Sequence, residues 1–331
     1  MSQGYHVALL GIESLATEAL LDLLAEGEFP VAAIYPLAGG ESEREPLRFA
    51  GKSLKVNDPD EFAWASVQLL FVLQDLPDRQ RWCAAAVEAG VLVIDGAATA
   101  EPSGVLMQPA VNDEAVALPA SSAIVSMPSS LGGLLAAVLK PLHDEAGIAR
   151  VSVTALCPAS ESGPMGIQTL ARETATLLNG RPVESEAYQA QLAFNLLPQV
   201  GSDSSAAREE QVTTELATLL EDDQMRIELQ CIQAPTFYGF ALALQVETRY
   251  PCEFAELKAA LERVPDLELV EEEMVTPVSH GVGNSTITLR GLCQSPRHEQ
   301  GISGWLVCDN LRRGVAFNMV ATAMRWHQEN S

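Results

Sequence analysis

The chain has 331 residues, 47% apolar and 19% charged, which is enough for two globular cores. Forty-four acidic residues against 20 basic ones give a formal charge of −24. Such a surface repels nucleic acid and anionic membrane, so neither is expected as a partner.

No apolar run reaches the roughly 18–20 residues that a membrane span needs. The first residues, MSQGYHVALLGIE, carry no basic stretch and reach acid by Glu13, so no signal peptide is expected. The six cysteines (Cys83, Cys157, Cys231, Cys252, Cys293, Cys308) are scattered, with no CxxC and no histidine pairing. That usage predicts a cytoplasmic protein with reduced thiols and no metal site.

Taken in order, residues 5–10 (YHVALL) read as a strand ending at Gly11, and 14–25 read as a helix with Ser14 as N-cap. Strands are expected at Val31–Leu37, Val67–Leu73 and Val91–Asp95, with a helix at Arg79–Ala89. Strands alternating with helices imply a parallel sheet, and the strand–glycine–helix opening suggests a Rossmann-type start. The character changes near residue 125. Helices are expected at Ser130–His143, ending near Pro141, at Gly166–Leu178 and at Glu209–Leu220, with Gly201–Ala207 as a loop. Strands follow at Val151–Cys157, Met225–Ile232, Phe240–Glu247, Ser285–Leu292 and Gly304–Cys308, a pattern typical of an α+β domain. The last helix is expected to open at Asp309 as N-cap and run to about Gln328, with Val315, Met319, Val320 and Met324 on its apolar face.

Several stretches carry a resemblance. Phe29–Pro30 stands where one family has FP. AGVLVIDGAA (89–98) is similar to its AGxxVIDNSS, QPAVND (108–113) to xPEVN, and SMPSSLGGLLAAVLKPLHD (126–144) to ANPNCSTIQLVVALKPLHD. AFNLLP (193–198) matches FNxIP, and DNLRRGVAFNMV (309–320) matches DNLRKGAAxNAV. In this order and spacing the chain resembles the aspartate-semialdehyde dehydrogenase family over nearly its whole length. The resemblance implies an α/β fold: a Rossmann-type NAD(P)-binding domain, 1–128 with 310–331, and a catalytic and dimerisation-type α+β domain, 129–309. It bears on fold more than on activity.

The family forms its covalent intermediate on a cysteine, because thiolate is a strong nucleophile near neutral pH and a good leaving group. The family's spacing back from Lys140 lands on Ser130. The bland reading of Ser130 is a helix start. The family's acid/base histidine aligns with Phe240, which cannot move a proton, and an arginine of the same motif aligns with Gln233. Glu101 falls at a second arginine and Gln211 at a lysine. Losing three cations removes charge-assisted bonds worth roughly 1.5–3 kcal/mol each. Cys157 falls at the family's active-site glutamine and Leu134 at another. Cys157 is either a relocated nucleophile or a buried strand cysteine. His143 reads as structural. His280, in SHGVGNS, lies either in a solvated turn or in a loop that approaches a ligand.

The family's GATGAVG appears as GIESLAT (11–17), where Gly11 remains while Ser14 and Thr17 replace glycines and Glu13 opposes a pyrophosphate. Cofactor contacts, if retained, fall on Gly11, Ser14 and Leu15, and NAD or NADP binding is expected to be weak, with no cofactor certain. The reading is a catalytically degenerate homologue of the USG-1 type, a homodimer acting as a binding or regulatory protein. The alternative is an NAD(P)-dependent oxidoreductase acting on an aldehyde or oxo group in amino-acid biosynthesis. A third is a structural dimer without ligand.

Overall fold

The computed structural model describes residues 4–27, 29–39, 47–112, 115–116, 118, 122–185, 187–198, 200 and 205–330. It divides into two compact units, 1–130 with 315–331, and 131–314.

In the first unit β1 (Tyr5–Leu10), α1 (Ala16–Glu26) and β2 (Val31–Leu37) are followed by a small hairpin of β3 (Arg48–Phe49) and β4 (Lys52–Ser53). Then come β5 (Leu69–Val72), α2 (Arg79–Glu88), β6 (Leu92–Asp95), β7 (Val105–Leu106) and β8 (Ile124–Ser126). The six-stranded sheet has the order β2-β1-β5-β6-β8-β7, and every pairing in it is parallel. β5 and β6 are buried along their whole length, as strands covered on both faces must be. α1 lays Leu20, Leu21 and Leu24 into the core and stops at Gly27, whose φ of 101° is the left-handed cap glycine favours.

The chain leaves β1 for β2 on one side, then returns to β5 on the other. This reversal opens a crevice at the carboxyl ends of β1 and β5, where Rossmann-type sheets receive ligands. Gly11 sits there with φ +79°, and a Cβ on it would lie 2.8 Å from both Cβ and N of Gln74.

The second unit contains α3 (Ser130–Ala146) from its second residue on, β9 (Ile148–Cys157), α4 (Gly163–Leu178), α5 (Ser205–Leu219), β10 (Arg226–Gln233) and β11 (Phe240–Thr248). α6 (Phe254–Glu262), β12 (Leu267–Val270), β13 (Ile287–Ser295) and β14 (His298–Cys308) complete it. Its sheet, β10-β9-β11-β14-β13-β12, is mixed: β10 with β9 and β12 with β13 are parallel, the rest antiparallel. Val151, Val153, Ala155 and Cys157 of β9 are buried, while Ser152, Thr154 and Leu156 on the other face are half-buried.

The architecture agrees with the expected fold class, and several element boundaries do not. The helix at 130 does not end at Pro141. It continues to Ala146 because Leu142 and Ala146 are buried and their burial outweighs the one backbone bond that proline removes. His143 then serves structurally: its Nδ1 accepts the Ile148 N–H at 3.2 Å.

The expected loop 201–207 is partly wrong, since helix α5 begins at Ser205, while 201–204 lie outside the described residues. Asp113 of the QPAVND match also lies outside them. Asp309 caps, but not the last α-helix. Its Oδ1 accepts from Leu311 N at 2.8 Å and Arg312 N at 2.7 Å, and Gly314 N bonds to Asp309 O five residues back. This wide turn runs on through Arg312–Ala316, so α7 begins only at Phe317 and runs to Asn330. Of the expected apolar face Met319 is buried, together with Ala323 and Trp326, while Val315, Val320 and Met324 are half-buried. α6 and β12 were not expected. No described helix is long and apolar enough to cross a membrane.

Candidate functional site

In the first unit the loop after β1 brings Gly11, Ser14 and Leu15 together at the crevice. Ser14 N donates to Gly11 O at 3.0 Å, closing the turn. Ser14 then engages the helix start: its Oγ accepts from Ala16 N at 3.3 Å and its carbonyl accepts from Thr17 N at 3.1 Å. Leu15 is the formal cap and makes no side-chain cap bond, so Ser14 performs the capping expected of it one residue earlier. Thr17 is buried, and its Oγ1 has no hydrogen-bond partner among the described residues. Glu13 is exposed beside this loop. The turn survives, but the Ala16 and Thr17 N–H groups at the helix start are engaged internally by Ser14. These residues do not form the open cradle that a tightly held pyrophosphate needs.

Downstream, Asp95 ends β6 and caps Ala97 N at 3.1 Å. Its other oxygen pairs with the buried guanidinium of Arg79, which also reaches Asp75 at 3.0 Å. Glu101 is exposed, and its carbonyl accepts from Thr99 Oγ1 at 2.9 Å. Ser130 is half-buried in the first turn of α3.

In the second unit Cys157 and Phe240 lie at adjoining ends of two paired strands. Ala241 of β11 pairs with Leu156 of β9, so Phe240 and Cys157 close the same pair of strands, and both are 0% exposed. Phe240 also pairs with Cys308 of β14, which is buried as well. The Phe240 ring itself has no proton to transfer.

The Cys157 thiol is held protonated. Contact with Cys231 of the neighbouring β10, then burial, then the Glu161 charge raise its pKa well above the ordinary thiol value, and Arg208 offsets this only in part. A buried thiol whose pKa is raised is a weak nucleophile near neutral pH. Gln233 is fully buried. Its Nε2 donates to Cys157 O at 2.9 Å, and its Oε1 accepts from Ser162 Oγ at 3.2 Å.

A closed polar network lies alongside. Arg208 of α5 donates to Glu161 Oε2 at 2.7 Å, and Asn310 Nδ2 donates to Glu161 Oε1 at 2.8 Å. Asn310 is itself 0% exposed. Its Nδ2 also reaches Ser160 Oγ at 3.0 Å, and its Oδ1 accepts from Gly239 N at 3.0 Å and from Ser160 Oγ at 3.2 Å. Burial opposes the Arg208 charge, but Glu161 outweighs it and leaves the pKa raised. Gln211 Nε2, at the family's lysine position, donates to Glu215 Oε1 at 2.9 Å, and Glu209 Oε1 accepts from Cys231 N at 3.0 Å.

Sequence reasoning missed Glu161, Ser160, Asn310 and the pairing of Arg208. The DNL stretch marked Asn310 without a role, and alignment drew attention to Gln211 while a cation stood three residues earlier. Glu161 had no local signal.

Comparison with known proteins gives one answer for both units. Residues 6–118 match the family described as semialdehyde dehydrogenase, NAD binding domain, and residues 139–313 match its dimerisation domain. The chain is 34% identical over 329 residues to aspartate-semialdehyde dehydrogenase 2 of Vibrio cholerae, covering 98% of each. It is 33% identical over 325 residues to the USG-1 protein homolog of Pseudomonas aeruginosa, covering 97% of each. The crystal structure of aspartate semialdehyde dehydrogenase II from Vibrio cholerae superposes with a TM-score of 0.91 at 32% identity, over 99% of this chain and 100% of that one. The strand orders, the matched stretches and these likenesses agree, and the chain belongs to the aspartate-semialdehyde dehydrogenase family.

Proposed function

We propose that this chain is a catalytically degenerate member of its family, retained as a homodimeric binding or regulatory protein. The observation that carries the reading is Phe240: a fully buried aromatic ring at the position of the family's acid/base. Proton transfer there is chemically excluded, and the serine at the nucleophile position, Ser130, has no imidazole at 240 to activate it. The ion pair between Arg208 and Glu161 supports the same reading, because that guanidinium already holds a carboxylate. The dimerisation-domain match and the half-buried sheet face of Ser152 and Thr154 favour a second copy as partner. Dinucleotide binding through Gly11, Ser14 and Leu15 is weak in this reading.

The test is the family reaction itself. Phosphate-dependent reduction of NADP by aspartate semialdehyde is followed at 340 nm with wild type and with Ser130→Cys. Neither turns over above the uncatalysed rate, because groups that act as a unit fail together. Turnover by wild type at ordinary enzyme rates overturns the proposal in favour of an NAD(P)-dependent oxidoreductase.

A further inference from the structure

Bordering the polar network of Asn310, Thr276–Gly283 forms a turn anchored at both ends. A Cβ on Gly239, whose φ is +83°, would lie 3.1 Å from Pro277 Cβ, so the turn packs directly on the strand entry. At the other end Gly283 N donates to Asp309 Oδ2 at 2.7 Å. On this base stand three side chains in line. Ser279 Oγ lies 2.7 Å from His280 Nδ1, and His280 Nε2 lies 3.3 Å from Glu273 Oε1.

The proton positions in this line follow from its chemistry. A carboxylate facing Nε2 selects the tautomer with the proton on that nitrogen, which leaves Nδ1 as an acceptor. Ser279 Oγ then has Nδ1 as its nearer acceptor at 2.7 Å, with the Thr276 carbonyl a more distant one at 3.4 Å. Thr276 Oγ1, which accepts from Ser279 N at 3.2 Å, lies 2.7 Å from Ser279 Oγ and is placed to donate to it. Capping of the turn explains the bond between Thr276 and the Ser279 N–H. It does not require an imidazole on the hydroxyl or a carboxylate behind the imidazole. A hydroxyl hydrogen-bonded to an imidazole, with a carboxylate 3.3 Å behind that imidazole, resembles the arrangement of an activated serine.

The surroundings indicate a substrate class. Val278 is 80% exposed, Met274 75% and Val282 46%, so apolar side chains close to Ser279 in sequence stand open at the surface. Ser279 is exposed and Glu273 is 67% exposed at its side chain.

We propose that Ser279, His280 and Glu273 form a second, independent site that hydrolyses activated esters of short apolar acyl groups. Ser279 Oγ attacks the acyl carbon, forming a new C–O bond as its proton passes to His280 Nδ1. The bond from the acyl carbon to the leaving alcohol breaks, and the alcohol takes that proton. Water then attacks the acyl-serine through the same relay, releasing the carboxylic acid and restoring the serine. Water is the co-reactant, and nothing is oxidised or reduced.

The experiment uses the full chain with p-nitrophenyl acetate and butyrate as substrates and a fluorophosphonate as covalent probe. Peptide mapping of wild type is expected to place the phosphonyl adduct on Ser279. Ser279→Ala removes the adduct and lowers ester turnover at least about tenfold. His280→Gln keeps the hydroxyl yet loses the adduct and about as much turnover, as removal of a general base demands. Thermal melting checks that each variant folds. A wild-type protein unlabelled at Ser279, or turnover unchanged in Ser279→Ala, overturns the proposal. Neither outcome bears on the family reaction, which is assayed separately.

Discussion

Arg208 and Glu161 stand 47 residues apart in sequence and 2.7 Å apart in space, with side chains only 24% and 9% exposed. Asn310 binds the carboxylate oxygen that Arg208 leaves, so Glu161 is satisfied on both sides.

Removing the charge from this pair is expected to cost more than removing the pair. Glu161→Gln leaves a largely buried guanidinium without its counterion and destabilises the protein by about 2–3 kcal/mol. Glu161→Gln combined with Arg208→Met recovers a good part of that loss. Urea unfolding of wild type, both single variants and the double variant measures it. Strictly additive effects would mean the two side chains are not coupled.

The thiols are expected to separate into classes. Burial pushes the Cys83 and Cys308 thiols up to about 12, and Cys157 also lies well above the ordinary value. Burial, then hydrogen bonding to Glu256, pushes Cys252 up to about 11. At pH 8 a thiol of pKa about 12 is ionised in roughly one molecule in ten thousand, so alkylation there is negligible. Cys293, which is exposed, is expected to be carbamidomethylated first by iodoacetamide in the native protein. Mass mapping over time reads the order, and early modification of Cys157 would count against its being a weak nucleophile.

An acid limb of stability is expected from Asp222. Burial pushes its carboxyl up, but the Gln224 N–H, the Arg249 guanidinium at 2.7 Å and His143 outweigh this and leave its pKa below the ordinary 3.8. A depressed folded value means the contribution is present in full above the unfolded value and is lost as pH falls through the folded one. Asp222→Asn is therefore less stable than wild type near neutrality, and the gap narrows below about pH 4. Urea midpoints from pH 6 to pH 3 test this, and a gap independent of pH would show that the charge is not the cause.

The crevice loop makes a prediction about charge. Glu13 stands exposed beside the turn at Gly11, where a pyrophosphate would approach α1. Glu13→Gln keeps the shape and removes repulsion of about 1 kcal/mol, so NADP binding strengthens roughly fivefold. Calorimetry at matched low salt compares the two proteins. Equal affinities would assign the weakness to Ser14 and Thr17 instead.

What was legible in the sequence follows from how local each signal is. The strand–Gly11–helix opening and the alternation of strands with helices announced a parallel sheet, because a parallel pairing needs a crossover between its strands. β12 escaped notice because it is four residues long and only partly buried. α6 is different: Leu257, Ala260 and Leu261 have helical spacing, so its apolar stripe was there to be read. The last helix was misplaced because Asp309 caps in earnest, but caps a wide turn. At the site, substitutions such as Phe240 were visible residue by residue. The network of Arg208, Glu161 and Asn310 was not, because a loop, a helix and a strand end must fold before those charges meet.

The contact between Gly11 and Gln74 separates two histories that a surviving glycine would otherwise merge. A methyl group at position 11 would strike the backbone and Cβ of β5's continuation at 2.8 Å, whatever occupies the crevice. Selection for the sheet alone is therefore enough to preserve this glycine, with or without a nucleotide in the crevice. Gly11 is a fossil of architecture, and Gly11→Ala should register first as a protein that assembles poorly.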